Sequence, residues 1–219
     1  LITGDFKRQK DETCKKYEIV KTDYIISEST FGLPIFKWDE SQKTVTDITK
    51  WINSSQEKTS ILFCYSLGKA QRLLNEISKT NFINNIYTHS SIYRMNNCYK
   101  KLGIDIIETR KLEQIKNNSD LKGSLIILPP ALNKSSFLKN FKDIQTGFAS
   151  GGMSIRALRK RSGYDKGFSI SDHADWMAIL RTIKESKAKN VFFHHGDSDA
   201  LNKYLKEKNS INVLEFQYK

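Results

Sequence analysis

Short apolar runs and longer amphipathic stretches take turns along this chain, and that alternation sets the expected fold. Leu1-Ile2-Thr3-Gly4-Asp5-Phe6 predicts a short buried strand ending in a Gly-Asp turn. Tyr24-Ile25-Ile26-Ser27-Glu28 predicts a second, ending in an acid that is followed by Ser29, Thr30 and Gly32. Residues 42–57 carry Val45, Ile48, Trp51 and Ile52 at helical spacing. Ile61–Tyr65 is a continuous apolar strand, and Ser66-Leu67-Gly68-Lys69-Ala70-Gln71-Arg72 turns from it into a helix carrying Leu73, Leu74 and Ile77. The same beat continues with strands at residues 85–89, 125–128, 146–150, 190–197 and 211–216, and helices at 90–102, 174–187 and 198–208. Gly103 is set to end the helix before it, and Pro129-Pro130 to stop the strand before them. Strands separated by helices predict an α/β fold with a mostly parallel sheet and helices on both faces.

Candidate chemistry gathers at the strand ends. Ser171-Asp172-His173-Ala174-Asp175-Trp176 sets a histidine between two aspartates at a strand-to-helix corner. A carboxylate beside an imidazole fixes its tautomer and favours its protonated form, whereas the same acids also suit a helix N-terminus. His195, followed by Gly196, ends another strand; period-two alternation allows only one of His194 and His195 on a given face, and the one at the turn is the better candidate ligand. Asp5, Glu28, His173 and His195 thus form two acids and two histidines at four strand ends, a pattern that isolated caps do not explain. His89, with no acidic neighbour in sequence, reads as structural or substrate-facing.

Composition narrows the partners. The 219 residues carry a formal charge of +12, which suits a polyanion, although a Lys-, Asn- and Ile-rich chain also runs basic for other reasons. Arg156, Arg159, Lys160 and Arg161 form the densest basic run, able to grip phosphates or to defend an exposed edge strand. Ser66, Lys69 and Arg72 follow a strand–Gly-turn–helix geometry that presents backbone N–H groups to an anion. The upstream Gly of a Walker A loop is missing and Ala70 stands where its hydroxyl would be, so ATP is not indicated. Three cysteines without a CxxC point away from disulfide frameworks and zinc knuckles and toward a reducing cytoplasm. No apolar run reaches the ~18 residues of a membrane span, so no membrane partner is expected.

The ordered set Thr3-Gly4-Asp5-Phe6, Glu28-Ser29-Thr30-Phe31-Gly32-Leu33-Pro34, Ser66–Arg72, Phe148-Ala149-Ser150-Gly151, Ser171–Trp176 and His195-Gly196 resembles the metallo-β-lactamase-fold nucleases of the β-CASP group. Within that group it is most similar to the bacterial ligase-associated DNA exonucleases. The resemblance spans essentially the whole chain. It implies that residues 1–36 and 165–219 belong to the second half of a metallo-β-lactamase αββα sandwich, and that residues 37–164 form an inserted, Rossmann-like β-CASP cassette closing over the active cleft. It also implies a metal-dependent phosphodiesterase of DNA repair or processing that uses two divalent ions, zinc or else manganese. Asp5 matches the acid bridging the metals and His195 the last histidine ligand. His173 matches the proton donor to the leaving oxygen, Glu28 the acid bonded to it, and Asp172 shares that corner. The partners implied are DNA, with RNA as the alternative, and a DNA ligase and helicase.

The family's HxHxDH motif is absent from these residues, which hold four histidines and no HxH. The resemblance therefore implies that an N-terminal portion precedes Leu1, that this chain alone binds metal poorly and is inactive, and that the full-length parent is the hydrolase. Two rivals share the same residues. One is a ribonuclease of the RNase J or pre-mRNA 3′-end-processing type; the GKAQR turn and the FGLP stretch favour the DNA branch over it. The other is a catalytically dead, nucleic-acid-binding β-CASP module, against which the joint presence of Asp5, Glu28, His173 and His195 argues.

Overall fold

In a computed structural model the structure describes residues 1–115, 121–208 and 211–215. In chain order the first elements are β1 (Tyr24–Ser29), α1 (Ser41–Asn53), β2 (Thr59–Phe63), α2 (Lys69–Ser78), β3 (Ile86–Thr88), α3 (Ser90–Lys101) and β4 (Arg110–Lys111). There follow β5 (Leu125–Leu128), β6 (Ile144–Ala149), α4 (Arg156–Ser162), β7 (Lys166–Phe168), α5 (Trp176–Ser186), β8 (Asn190–Gly196), α6 (Asp199–Glu207) and β9 (Asn212–Val213). The protein is α/β, and every strand pair among the described residues is parallel. It divides into two compact units, one of Leu1–Lys10, Lys16–Trp38 and Ser171–Lys219, the other of Asp11–Lys15 and Asp39–Ile170.

The first unit holds the sheet β1-β8-β9. Ile25 of β1 and Val191 of β8 turn into a core with Trp176, Ile179 and Ile183 of α5 and Leu201 and Leu205 of α6. The three-and-four spacing along both helices is what lets one face of each bury. The expected strand at Leu1–Phe6 shrinks to a single bridge, Ile2 with Ile26, because Gly4 takes a left-handed turn at φ 58° and carries the chain off the edge. The expected last strand reduces to Asn212–Val213, and Phe216 lies outside the described residues.

The second unit holds the six-stranded sheet β4-β3-β5-β2-β6-β7. Alternation along the central strands splits its core in two. Leu62, Leu125 and Ile127 face α1–α3 through Val45, Ile48, Ile52, Leu73, Leu74, Ile77 and Ile92. Ile61, Phe63, Ile126 and Leu128 face the other way, where Leu112, Leu121, Leu132, Phe137 and Leu138 cover them. That second cover corrects the expectation of helices on both faces. Pro129-Pro130 and the polar stretch Asn133–Ser136 leave no helical period, and the chain forms 3-10 turns at Pro130–Leu132 and Ser136–Asn140 instead. α1 stops at Asn53 rather than running to residue 57: Ser54 Oγ bonds back to Trp51 O, and hydroxyls at such a position compete with the helix. The basic run is the helix α4, not an edge strand, and Gly163 ends it in left-handed conformation.

Candidate active site

Glu28 is the fixed point of the first unit's strand-end cluster. It closes β1, and only 3% of it is exposed. Burying a carboxylate is costly unless donors satisfy it. Here Oε1 accepts from Phe6 N at 2.8 Å and from Ala174 N at 3.4 Å, while Oε2 lies 2.8 Å from His173 Nδ1. The Thr3–Phe6 turn and the Ser171–Trp176 corner are therefore both tied to one side chain.

The corner is held from several sides. His173 N donates to Ser171 Oγ at 3.0 Å, and Trp38 Nε1 donates to His173 O at 3.2 Å. Asp175 Oδ1 accepts from Ala178 N at 2.8 Å, which caps α5, and its Oδ2 accepts from Trp38 N at 3.1 Å. Phe31 stands edge-on to the His173 ring at 5.8 Å and packs on Phe36 and Trp38. Of the two acids expected beside His173, Asp175 thus caps the helix. Asp172 Oδ1 lies 3.6 Å from Lys7 Nζ. With Glu28 accepting, Nδ1 carries a proton, and in the neutral ring Nε2 is then the acceptor nitrogen.

His195 reaches the cluster through a break in strand register. β1 and β8 pair residue for residue up to Glu28 with His194, and then Ser29 pairs with Gly196. His195 is the extra residue of that bulge, at φ 59°. Its Nδ1 lies 2.8 Å from Asp5 Oδ1, and the same oxygen is 3.9 Å from His173 Nδ1. Gly196 is obligatory at φ 122°, since a Cβ there would sit 2.5 Å from the Ser29 carbonyl. The structure thus brings Asp5, Glu28, His173 and His195 together. Beside them opens a cavity of about 260 Å³ lined by Ile2, Gly4, Asp5, Ile26, Ser27, Glu28, His194 and His195.

The donors differ in what they can still bind. Asp5, Glu28 and His173 bring ligand atoms within 4.8 Å of one another. Both oxygens of Glu28 are already engaged, which makes it a hydrogen-bond acceptor rather than a ligand. Asp5 and His195 have side chains 50% and 55% exposed, and a carboxylate with an imidazole suits zinc or manganese. The donor set fits a divalent ion held from this side by Asp5 and His195. Two side chains fill about half of a four-coordinate shell.

The basic candidates lie in the second unit and separate by burial. Arg156 and Arg159 are exposed on α4. Ser66 is half-buried, its Oγ 3.1 Å from Ser91 Oγ. Lys69 and Arg72 are 4% and 0% exposed. Arg72 Nε lies 3.9 Å from Asp11 Oδ2, so its guanidinium serves the interior and does not meet a phosphate at the surface. α2 is buried on every side from Lys69 to Ile77, so Arg72 and Asn75 are enclosed although they lie away from the face of Leu73 and Ile77. His89 has an acidic neighbour after all: Glu113 Oε1 is 4.0 Å from its Nε2, delivered from beyond β4. His89 Nδ1 accepts from Ser91 N and caps α3, a structural role. Burial pushes the Glu113 carboxyl up, but the Ser90 hydrogen bonds and the His89 charge outweigh it and hold the group below its ordinary value. The sequence reading missed Trp38 and Lys7 as parts of the corner; the aromatic spacing of Phe31, Phe36 and Trp38 is the signal that pointed to the first.

Fold and site together define an α/β protein of parallel sheets with an acid–histidine cluster at its strand ends. No family model matches the chain. Over 210 residues it is 25% identical to a protein of Opitutus terrae described as a probable DNA ligase; the match takes in 95% of this chain and 20% of that protein. The chain thus spans about one fifth of the length of that relative. Its fold is similar to the crystal structure of a protein of unknown function from Enterococcus faecalis V583, with a TM-score of 0.57 and 11% identity over 90% of this chain and 51% of that one. Among the described residues no helix is long and apolar enough to cross a membrane.

Proposed function

We propose that the cluster is the acid–histidine side of a metal-dependent phosphodiesterase centre, in a β-CASP nuclease of the metallo-β-lactamase fold acting on DNA. The observation that carries this reading is the Glu28–His173 pair: a buried, fully engaged carboxylate 2.8 Å from an imidazole, directly beside the Asp5–His195 pair. DNA as the substrate draws support from the relative described as a probable DNA ligase and from the +12 charge. An alignment over one fifth of a protein does not carry that protein's own activity across.

In this reading Asp5 and His195 hold a divalent ion, which when bound supplies a Lewis acid to a phosphoryl oxygen and a hydroxide near neutral pH. Glu28 keeps the Nδ1 proton on His173, and so aims Nε2 at the substrate. With a proton at Nε2 as well, the ring donates it to the departing oxygen, and the Glu28 carboxylate stabilises the charged ring before transfer. Trp38 and Ser171 fix the His173 backbone, so the ring direction is set before substrate arrives.

The test is release of nucleotides from end-labelled DNA by the native protein, with manganese or zinc and with EDTA. His173→Ala is expected to lower the rate by about 100- to 10,000-fold, the usual worth of a general acid, with DNA affinity retained. Faster cleavage of the matching RNA would move the protein to the ribonuclease branch. DNA binding by a wild-type protein with no hydrolysis under any metal would leave a binding module.

A further inference from the structure

Glu28 joins the Thr3–Phe6 turn to the Ser171–Trp176 corner, but one joint does not fix the angle between two segments. A second joint lies one residue along each of them. Lys7 follows Phe6, whose N–H Glu28 accepts, and Asp172 precedes His173, whose Nδ1 lies against Glu28. Lys7 Nζ stands 3.6 Å from Asp172 Oδ1, and the two side chains are 18% and 29% exposed. A pair so far withdrawn from water is screened less than a surface ion pair. Ordering a lysine gives up more rotamer freedom than ordering most side chains, so this contact has to be held in place by its surroundings.

The residues on either side of Lys7 do so. Phe6 is buried, its ring 4.7 Å from that of Tyr17. Arg8 Nη1 donates to Thr182 Oγ1 at 2.9 Å and Nη2 to Glu185 Oε2 at 2.7 Å, and its Cζ lies 5.5 Å from the centroid of the Tyr17 ring. Thr182 and Glu185 belong to α5, the helix that starts directly after the corner and that Asp175 caps. With Phe6 and Arg8 both fixed, the backbone between them is fixed too, and the Lys7 ammonium is delivered to Asp172. At the other end Ser171 Oγ accepts from His173 N at 3.0 Å, a bond that spans Asp172. The strut therefore runs from just beyond Asp5 to the residue before His173, and Asp5 Oδ1 sits 3.9 Å from His173 Nδ1.

We propose that Lys7 is a positioning residue: through Asp172 it sets the spacing between Asp5, the metal-side acid, and His173, the proton donor. The proposal rests on the hydrolytic reading above and deepens it by naming what keeps the two halves of that centre in register. An ion held by Asp5 and a proton donor at His173 serve the same phosphodiester, so an error in their spacing is an error in reaction geometry. A displacement of about 1 Å costs on the order of 100-fold in rate. Lys7 itself touches no reacting atom, which separates it from a lysine that grips the phosphate.

The experiment compares steady-state hydrolysis of end-labelled DNA by the native protein with Lys7→Met, Lys7→Arg, Asp172→Asn and the double variant Lys7→Met/Asp172→Asn. Lys7→Met keeps an apolar stem and deletes the charge, so kcat is expected to fall by about 10- to 100-fold with KM within about twofold of wild type. Asp172→Asn should lose as much, and the double variant no more than either single one, since two residues that form one strut are lost only once. Lys7→Arg keeps the charge and should recover most of kcat. The nuclear Overhauser effect between the rings of His173 and Phe31, whose centroids are 5.8 Å apart, reads the corner without catalysis and should weaken alike in the three charge-deleted variants. A raised KM in Lys7→Met, or losses that multiply in the double variant, overturns the strut and makes Lys7 a phosphate contact. An unchanged kcat or an unchanged Overhauser effect in Lys7→Met overturns it as well, and leaves the hydrolytic centre standing. A wild type without hydrolysis under any metal overturns the hydrolytic reading instead; the Overhauser effect then decides the strut alone, upholding it if the signal weakens in all three variants and refuting it otherwise.

Discussion

Replacing Glu28 probes the link between the buried carboxylate and His173 directly. In Glu28→Gln the side chain keeps its length, and its remaining oxygen can still accept from Phe6 N and Ala174 N, the two donors at Oε1. Its NH2 group then faces His173 Nδ1, now 2.8 Å from Oε2. Two donors cannot bond, so the neutral imidazole must move its proton to Nε2 and accept at Nδ1. A charge-assisted bond is exchanged for a neutral one, and the loss of stability is about 1–2 kcal/mol. Glu28→Ala removes both carboxylate oxygens, and with them the acceptor of Phe6 N–H and Ala174 N–H and the 2.8 Å partner of His173 Nδ1. Its cost is about 3–5 kcal/mol. Urea midpoints of wild type, Glu28→Gln and Glu28→Ala measure the ranking. Nitrogen-15 spectra of the His173 ring, taken at a pH where the ring is neutral, read the tautomer. A Glu28→Gln protein whose His173 keeps its proton at Nδ1, or a Glu28→Ala protein as stable as Glu28→Gln, would refute the reasoning.

Three further outcomes follow from the same geometry. Gly196→Ala must tolerate φ 122° and a Cβ 2.5 Å from the Ser29 carbonyl, so a loss of at least about 2–3 kcal/mol is expected in thermal melts, with His195 displaced from Asp5. Arg72→Ala breaks a buried ion pair with Asp11 and should cost about 3–5 kcal/mol while leaving the salt slope of DNA binding as it is; a shallower slope would return Arg72 to the phosphate contacts. The hydrogen bonds from Arg8 and Arg181 hold the Glu185 carboxyl below its ordinary value. A depressed folded-state value adds stability above the unfolded-state value, lost as pH falls through the folded-state one, so the advantage of wild type over Glu185→Gln in urea should shrink on acidification through the carboxylate range.

What could be read from the sequence follows the reach of each physical signal. Helices and strands announce themselves over a few residues, and α3, α5 and α6 stand within two residues of their expected ends because apolar period and flanking turn residues act locally. The cover on the second sheet face was not legible, because Leu132, Phe137 and Leu138 pack there half-buried, without any helical period to announce them. Burial was misjudged at Arg72, because α2 is enclosed on every side rather than along one stripe and the partner Asp11 comes from a distant segment. The same limit hid Glu113 beside His89 and Lys7 beside Asp172: each pair joins residues from separate segments, and no local pattern records such a meeting.

His195 shows the limit most sharply. In a parallel pair, residues in register point to the same side, so an unbroken β8 would pair His195 with Ser29 and turn its ring away from Glu28. The pairing Glu28–His194, then Ser29–Gly196, inserts His195 as an extra residue and re-aims it toward Asp5. The alternation argument was therefore sound for a regular strand but does not govern this one. Among the described residues four non-glycines have positive φ, and His195 alone of these lies inside a strand. Left-handed backbone at such a residue costs about 1–2 kcal/mol, and it persists only where the surroundings over-determine it. Here the Asp5 bond on one side and the close Gly196–Ser29 approach on the other do so. Strain of this kind is what a fold keeps when a side chain's direction matters more than the stability it forgoes. It supports a working role for His195 beside Asp5, and removing the bulge by deleting one residue there should gain backbone ease while losing the Asp5–His195 pair.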